Sequence, residues 1–189
     1  HGNVTIEVTV PSDATGNITI TIDGENYTVP IINGTATFDL GNNVTAGDHN
    51  ITVNYPGDEN YNNVTKKDNI TVNKATADIG VNVINSTYGN VTIEVTVPKD
   101  ATGNITITVD GEEFTVPVVN GTAIFELGNN ITAGPHNITV NYSGDDNYNN
   151  ITKGTNITVD KGTVKPDNVI KVIPGNNNIT VVVDLPDDA

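Results

Sequence analysis

The stretch GNVTIEVTVPSDATGNITITIDG at residues 2–24 alternates apolar with polar side chains in two runs, which a short segment of turn-forming residues separates. It recurs at residues 89–111 as GNVTIEVTVPKDATGNITITVDG. The similarity continues without a gap from Gly2–Lys74 onto Gly89–Lys161, at an offset of 87 residues and with 16 differences. Because strict alternation is typical of strands with one buried face, the sequence predicts two copies of a β-sheet unit.

A third copy begins near the end of the chain, where NNITVVVDLPDDA at 177–189 matches residues 2–14. Repetition at a fixed period indicates an array of similar modules. We expect residues 1–73 to form a first unit that lacks its first strand, 74–160 to form a complete unit, and 161–189 to supply the first two strands of a third. We therefore expect this chain to be part of a longer array.

The composition indicates an all-β protein, because β-branched residues dominate and good helix formers are scarce. The absence of Cys excludes disulfides, thiol chemistry and zinc–thiolate sites. The formal charge of −15 argues against a nucleic-acid partner, since phosphates need basic patches. No apolar run reaches the roughly 18 residues of a membrane helix. No signal-peptide pattern is present either, so a secreted protein would carry its signal outside this segment.

The complete unit contains seven runs with strand-like alternation. We predict strands A at 79–84, B at 91–97, C at 105–109, D at 113–119, E at 122–127, F at 136–142 and G at 151–160. Asp110-Gly111 and Asn120-Gly121 are tight-turn signals between them. Seven short strands in about 87 residues favour an Ig-like sandwich of two antiparallel sheets. The connector Lys74-Ala75-Thr76 lacks Gly and Pro, which favours tandem sandwiches arranged as a rod.

The runs NYPGDENYNN at 54–63 and NYSGDDNYNN at 141–150 share the pattern Tyr-x-Gly-Asp-x-Asn-Tyr. This pattern resembles the signature of bacterial and archaeal Ig-like repeats in large surface adhesins, and the richness in Asn, Ile, Thr and Lys resembles adhesin-like proteins of methanogenic archaea. The resemblance implies an extracellular, cell-surface location and a structural or adhesive role. It implies neighbouring repeats of the same chain as partners and, for an adhesive role, other surface proteins or glycans.

The tripeptide Asn-x-Ser/Thr, the acceptor of N-linked glycans, occurs 18 times. The candidate asparagines are Asn3, Asn17, Asn26, Asn33, Asn43, Asn50, Asn63, Asn69, Asn85, Asn90, Asn104, Asn120, Asn130, Asn137, Asn141, Asn150, Asn156 and Asn178. Alternation alone would make the reversed order Ser/Thr-x-Asn as frequent, yet that order occurs five times. The directional bias favours N-glycosylation, and we expect the turn or strand-end sites Asn33, Asn85 and Asn120 to be the most accessible.

Acidic residues follow the glycine of the Tyr-x-Gly-Asp pattern, as Asp58 and Glu59 in the first copy and Asp145 and Asp146 in the second. Clustered oxygen ligands in a turn are what calcium requires. A solvated turn that satisfies its own backbone through Asx hydrogen bonds is the alternative, and it is the reading we favour. Apart from N-linked glycans, the sequence therefore predicts no cofactor and no metal.

No group of residues predicts catalysis. His49 and His136 occupy equivalent positions, one in each copy, and we expect a surface or strand F location for them. A catalytic metal site needs two or three ligands. A Ser–His–Asp site is not indicated either, because no Ser has a His and an Asp at matching positions in both copies. Thioester and ester cross-links need Cys or Gln, which are absent. An isopeptide needs a buried Lys with an acid, whereas the inward positions of strands B, C and F are apolar.

The tyrosines Tyr55, Tyr61, Tyr142 and Tyr148 flank the Gly-Asp turns. We expect them to pack over the end of the sandwich with their hydroxyls hydrogen-bonded, a sugar-stacking patch being the alternative. For the whole chain, the sequence favours a non-enzymatic stalk segment of a secreted, N-glycosylated surface protein. A repeat module that grips glycans or proteins multivalently, or a building block of an extracellular filament, is the alternative.

Overall fold

The computed structural model describes residues 1–163, 170–175 and 179–183. This described part of the chain forms seventeen strands and no helix, so it contains no helix able to cross a membrane. The first repeat contributes β1 (Val4–Thr9), β2 (Asn17–Ile22), β3 (Glu25–Pro30), β4 (Thr35–Gly41), β5 (Gly47–Tyr55) and β6 (Val64–Val72). The second contributes β7 (Ala75–Thr76), β8 (Gly80–Thr87), β9 (Asn90–Thr96), β10 (Asn104–Val109), β11 (Glu112–Pro117), β12 (Thr122–Glu126), β13 (Gly134–Tyr142), β14 (Tyr148–Asn149) and β15 (Ile151–Val159). β16 (Ile170–Pro174) and β17 (Ile179–Val183) follow.

The second repeat is a sandwich of two antiparallel sheets, as its alternating pattern predicts. One sheet has the order β12-β9-β8 and the other β11-β10-β13-β15. The seven long strands correspond to the predicted strands A to G, with β8 as strand A and β15 as strand G. The all-β, Ig-like fold class is therefore confirmed.

Two tight turns set the register of the second repeat. At the turn after β10, Asp110 and Gly111 both have positive φ, 51° and 96°. Asn120 and Gly121 have φ values of 51° and 75°, and the backbone groups of Val119 and Thr122 bond each other on either side. Positive φ at both central residues matches the right-handed twist of the flanking strands, which is why Asp-Gly and Asn-Gly occupy these turns.

Apolar side chains from both sheets fill the space between them. In β10 the residues Ile105 and Ile107 are fully buried, while the threonines between them are half-buried on the outer face. Ile93 of β9 and Phe125 of β12 face them from the other sheet. Burying one such side chain stabilises the fold by about 1.5–3 kcal/mol, so these rows hold the sandwich together without disulfides.

Within the described residues, no strand lies at the position in the first repeat that β8 occupies in the second. The sheets of the first repeat are β1-β4 and β3-β2-β5-β6, so among the described residues the outer edge of β1 has no strand beside it. In the second repeat β8 lies at that edge, and Ala77 and Ile79 just before it are each 2% exposed. Without them, Ile6 and Phe38 are half-buried, whereas their counterparts are fully buried.

The short connector between the repeats differs from a simple linker. Ala75–Thr76 pairs in parallel with Tyr148–Asn149 as β7 and β14, so it is fixed to the second repeat. Strands β16 and β17 pair antiparallel in the region predicted to begin a third unit. The candidate Asn178 lies outside the described residues.

Ile6 and Ile93 occupy equivalent positions in the two repeats, so truncating each of them tests how much β8 adds to core burial. We expect Ile93→Ala to lower the free energy of unfolding of the second repeat by about 2–5 kcal/mol, because it empties a filled core. Ile6→Ala should cost the first repeat roughly half as much, because that side chain is already partly in water. Amide hydrogen exchange measured separately in each repeat reports both values. Equal costs would show that β8 adds nothing to core burial.

Candidate functional site

A carboxylate at one end of each sandwich ties two loops together. In the second repeat, Asp145 Oδ2 accepts hydrogen bonds from the backbone N–H and the hydroxyl of Thr102, at 2.7 and 3.0 Å. Asp145 Oδ1 accepts the N–H groups of Asn147 and Tyr148, both at 2.8 Å. Four donors from two loops therefore converge on one side chain, and hydrogen bonds to an ionised acceptor are stronger than neutral ones.

The first repeat builds the same arrangement around Asp58. Its Oδ2 accepts the N–H and the hydroxyl of Thr15, at 2.8 and 3.2 Å. Its Oδ1 accepts the N–H groups of Asn60 and Tyr61, both at 2.8 Å. The Thr15 N–H and the nearby Tyr55 hydroxyl are the main causes that hold the pKa of Asp58 well below its ordinary value.

Burial alone would raise the pKa of Asp145, but the N–H groups of Thr102, Asn147 and Tyr148 outweigh it and lower that pKa. Each carboxylate is therefore ionised at neutral pH. We call the residues around it the Asp–Tyr cluster. It consists of Asp13, Thr15, Tyr55, Asp58 and Tyr61 in the first repeat and of Asp100, Thr102, Tyr142, Asp145 and Tyr148 in the second.

The glycine before the aspartate is required by the turn. Gly144 has a φ of 78°, and a Cβ there would lie 2.7 Å from the Tyr148 carbonyl oxygen and 2.8 Å from the Asn150 nitrogen. Both the conformation and the space admit only glycine. Gly57 meets the same conditions in the first repeat, which explains the Gly-Asp pair of the motif.

The tyrosines pack at the end of the sandwich, as expected. Tyr61 donates its hydroxyl to Asp13 Oδ1 at 2.7 Å, and Tyr148 donates to Asp100 Oδ1 at 2.8 Å. Burial, reinforced by Asp100, raises the pKa of Tyr148 to about 12.

The other two tyrosines differ from the expectation. Among the described residues, the hydroxyls of Tyr55 and Tyr142 are buried without a hydrogen bond of standard geometry, although a carboxylate lies nearby. Burial is the main cause that raises the pKa of each phenol, to about 12 for Tyr55. These two rings serve mainly as apolar filling.

The contacts of the aspartates bear on calcium binding. A cation at Asp58 or Asp145 would have to displace N–H and O–H donors from both carboxylate oxygens. The neighbouring Glu59 and Asp146 are exposed. Residues 1–163 and the described strands beyond them contain no group of three or more His, Cys, Asp or Glu side chains placed to hold a metal ion. The geometry favours the Asx-type turn over a calcium site.

A second recurring contact joins strand F to the turn after strand C. His136 Nδ1 lies 2.5 Å from Asp110 Oδ2, and His136 Nε2 lies 2.8 Å from the Thr132 carbonyl oxygen. Both ring nitrogens face acceptors, so only the doubly protonated imidazolium can donate to both. Asp110 is the main cause that raises the pKa of His136, and burial opposes it.

The first repeat contains the same pair, with His49 Nδ1 2.6 Å from Asp23 Oδ2 and His49 Nε2 2.9 Å from the Thr45 carbonyl oxygen. Asp23 is likewise the main cause that raises the pKa of His49. Both histidines lie on strand F, as expected, but they are 9% and 7% exposed. The alternative of a surface position is therefore wrong, because both ring nitrogens are engaged in these bonds.

The Asp–Tyr cluster of the second repeat also contacts the first repeat. The N–H of Ala46 donates to Asn147 Oδ1 at 2.9 Å. His1 Nε2 lies 2.9 Å from Asp100 Oδ2, and the His1 ring meets Tyr148 edge-on with centroids 5.3 Å apart. Burial lowers the pKa of His1, but the Val44 carbonyl and Asp100 together outweigh it, so the pKa is raised.

The connector adds two more bonds to this junction. Lys74 Nζ donates to the Asp145 carbonyl oxygen at 2.6 Å, and the N–H of Ala75 donates to the Asn147 carbonyl oxygen at 2.9 Å. The loop that Asp145 organises therefore faces the first repeat, together with Asp100 from the loop between β9 and β10.

The candidate glycan acceptors all lie on the surface where the structure describes them. Every sequon asparagine from Asn3 to Asn156 is exposed. Asn33 and Asn120 occupy turns as expected, with φ of 51° each. Asn85 instead lies inside β8 at a register shift, because that strand extends to Thr87. Asn50 and Asn69 are cross-strand partners, as are Asn137 and Asn156.

Several contacts could not be found by reading the sequence for motifs. The spacing of 26 residues between Asp23 and His49 recurs between Asp110 and His136, but a repeat without gaps preserves every spacing, so this recurrence does not single out the pair. Lys153 donates to the Ile79 carbonyl oxygen at 2.5 Å and so ties strand G to the segment before strand A. The contacts of Asn147 and Asp100 with the first repeat had no signal in the sequence.

The fold and these sites define a tandem Ig-like module. The model of the family described as bacterial Ig-like domain (group 3) matches residues 1–73 and 81–160. The chain therefore belongs to this family. Ig-like domains are typically non-catalytic and commonly serve as structural or binding modules. No curated protein matches the chain.

Solved structures with a similar chain course include fibronectin(III)-like modules of Clostridium thermocellum CbhA, at 16% identity, with 84% of this chain and 86% of that chain covered and a TM-score of 0.33. A segment of two fibronectin type III domains from chicken tenascin has 12% identity, coverage of 83% and 93%, and a TM-score of 0.47. A Parabacteroides merdae β-glucuronidase has 10% identity and a TM-score of 0.32, and 84% of this chain matches 25% of it.

Removing one carboxylate oxygen tests the Asp–Tyr cluster. We expect Asp145→Asn to lower the free energy of unfolding of the second repeat by about 2 kcal/mol. The NH2 group of the asparagine can only donate, so it cannot accept the two hydrogen bonds that the replaced carboxylate oxygen accepts. Asp146→Asn, an exposed neighbour with the same charge change, is the control and should change it by less than about 0.5 kcal/mol. Urea unfolding at pH 7 measures both. Equal effects would mean that the loss comes from net charge alone.

The His–Asp pairs predict a pH dependence of stability. A histidine pKa that is raised by folding stabilises the protein fully below the unfolded value of about 6.5. That contribution is lost as pH rises through the folded pKa. We expect the stability of both repeats to fall as the solution becomes alkaline, and Asp110→Asn to flatten this slope in the second repeat.

Imidazole titration by NMR, together with unfolding at several pH values, measures the effect. Asn tolerates the positive φ at position 110, so the turn should survive this substitution. His49 serves as the internal control, because its titration should not move in Asp110→Asn. A His136 midpoint that also stays where it was would contradict the proposed ion pair.

Proposed function

We propose that this chain is a structural stalk segment of a secreted, N-glycosylated cell-surface protein, and that it is not an enzyme. The observation that carries the proposal is the direct bonding between consecutive repeats, in which Ala46 donates to Asn147 and His1 contacts Asp100. A module whose work is mechanical needs such defined contacts at its junctions, because a free hinge would let the stalk fold back.

The surface supports the same role. The exposed positions of the strands are mostly Asn and Thr, which hydrate well and leave little contiguous apolar area. The charge of −15 would keep neighbouring stalks apart through self-repulsion. N-linked glycans on the exposed sequons would add bulk over the same faces. The extracellular location that we propose rests on the resemblance to surface adhesins, including those of methanogenic archaea.

The second candidate is a binding module that acts multivalently, and the family admits both roles. The geometry gives it less support. Tyr61 and Tyr148, the rings that a sugar would need, donate their hydroxyls to aspartates within the same repeat. Tyr148 is also 5% exposed, since it packs into the core of its own repeat, pairs with β7 and meets the His1 ring.

Native material decides between these roles. We expect an intact mass above the 19.9 kDa of this bare polypeptide for the corresponding segment, with the excess removed by enzymatic release of N-glycans. The two-repeat chain should bind no member of a glycan array and no cell surface above background, because a stalk is inert. A mass equal to the bare polypeptide would remove the glycan part of the proposal. Saturable binding that Tyr61→Ala abolishes would favour the second candidate.

A further inference from the structure

Strand β8 forms an edge of the three-stranded sheet in the second repeat. The sheet has the order β12-β9-β8, so β9 covers one side of β8, and within the described residues no strand lies on the other side. Asp160 bonds the end of this open side, where its N–H donates to the Ser86 carbonyl oxygen at 2.6 Å. Two aliphatic side chains of β8 are exposed, Val83 at 42% and Ile84 at 54%. An open edge with exposed aliphatic side chains is a template on which a strand of another chain can pair.

The other edge strands of this sheet and of the sheet β11-β10-β13-β15 each contain a charged side chain. β11 begins with Glu112 and Glu113, β12 ends with Glu126, and β15 contains Lys153. Charged side chains on an edge oppose the addition of a strand, because the added strand would take them out of water. The sequence of β8 is GVNVINST, which contains no charged residue. Charge on the strand itself therefore does not protect this edge.

The charge on the neighbouring strand is too distant to replace it. Glu94 lies on β9, where its Oε1 accepts a hydrogen bond from Asn82 Nδ2 at 3.3 Å. A strand added to β8 would lie two strand spacings from β9, which is roughly 10 Å. Salt at physiological strength screens most of the repulsion between exposed charges over that distance.

The corresponding strand β16 has residues that oppose pairing. β8 reads NVIN where β16 reads KVIP. The valines of these two segments, Val83 and Val172, pair with equivalent residues of the next strand, Ile93 and Val181. β16 therefore has Lys and Pro, two residues that blunt sheet edges, at the places where β8 has Asn. The second of these asparagines is Asn85, the first residue of the sequon Asn-Ser-Thr.

A register shift in β8 places Asn85 on the outer face. With unbroken pairing after Val83, Ile84 would oppose Thr92, and Asn85 would oppose Val91, which is 1% exposed and points into the core. Instead Ile84 is an extra residue, so Asn85 opposes Thr92 and is exposed. Moving a strand by one residue exchanges its two faces. β16 pairs with β17 without such a shift. The bulge of β8 therefore presents the Asn85 amide to solvent, one residue from the exposed Ile84.

We propose that an N-linked glycan on Asn85 protects the open edge of β8 from pairing with a strand of another chain. In this modification Asn85 Nδ2 bonds the anomeric carbon of a sugar carried on a phosphate leaving group. The bond from that carbon to the phosphate oxygen breaks, and the amide gives up one proton. The proposal rests on the proposed function, since it gives one glycan of the stalk a specific task.

The position of the glycan suits this task. A strand added to β8 would lie about 4.8 Å from it. A bulky, hydrated sugar chain that begins one residue from Ile84 and two from Val83 sweeps through that space. The glycan thus takes the place that Lys and Pro have in β16.

The test compares secreted, glycosylated chains by sedimentation velocity at micromolar to millimolar concentrations. Asn85→Gln removes the sequon and keeps a neutral amide, and we expect it to shift the chain from monomer to dimer as the concentration rises. Asn156→Gln, which removes a sequon from the edge strand β15, is the matched control and should stay monomeric. Adding Asn82→Lys to Asn85→Gln introduces the lysine of β16 and should restore the monomer. Hydrogen exchange should show new protection at residues 81–85 in the dimer.

Glycopeptide mapping of the unsubstituted chain separates the possible failures. No sugar on any sequon would remove the glycan part of the proposed function together with this inference. Sugar on other sequons with Asn85 bare would overturn this inference alone. With Asn85 occupied, the inference is wrong if Asn85→Gln stays monomeric, if Asn156→Gln associates equally, or if the dimer leaves residues 81–85 unprotected.

Discussion

One ionised carboxylate organises the end of each sandwich, and the rest of the motif follows from it. Asp145 joins the loop between strands B and C to the loop between F and G, whose donors Thr102 and Asn147 are far apart in sequence. Four donors can converge only if the chain turns sharply just before the aspartate, which requires Gly144. The tyrosines then close the space between the loops and the core. The pattern Tyr-x-Gly-Asp-x-Asn-Tyr is therefore a structural requirement first.

The same turn determines what the repeat presents to its neighbour. By accepting the N–H groups of Asn147 and Tyr148, the carboxylate turns the Asn147 side chain outward, where it accepts the N–H of Ala46. The His–Asp pair acts on the other partner, because His49 holds the Thr45 carbonyl just beside Ala46. Two ionised groups in each repeat thus fix the two loops that meet at the junction.

The sequence predicted the fold in some detail because its main signals are local. Alternation specified the inward faces, Asp110-Gly111 and Asn120-Gly121 specified two turns, and the repeat offset aligned the strands of the two copies. The candidate site was only partly predictable. The carboxylates were identified, but their partner Thr102 lies 43 residues from Asp145 and carries no signal of its own. Asp100 and His1 are 99 residues apart and meet only through the packing of two repeats. The position of Asn85 within β8 depended on the extent of strand pairing, which alternation specifies poorly.

The strongest physical evidence about the junction is the difference in exposure between equivalent residues of the two copies. The sequence identity of the copies adds little. Most positions are the same in both repeats, so the shared residues at the junction would be expected even if they did nothing. Exposure is independent of that identity. Tyr61 and Tyr148 have the same bond to an aspartate and the same turn beneath them, but within the described residues Tyr148 also has β7 and the His1 ring beside it. The exposure of these two rings therefore measures what β7 and the first repeat together add to the cluster of the second repeat.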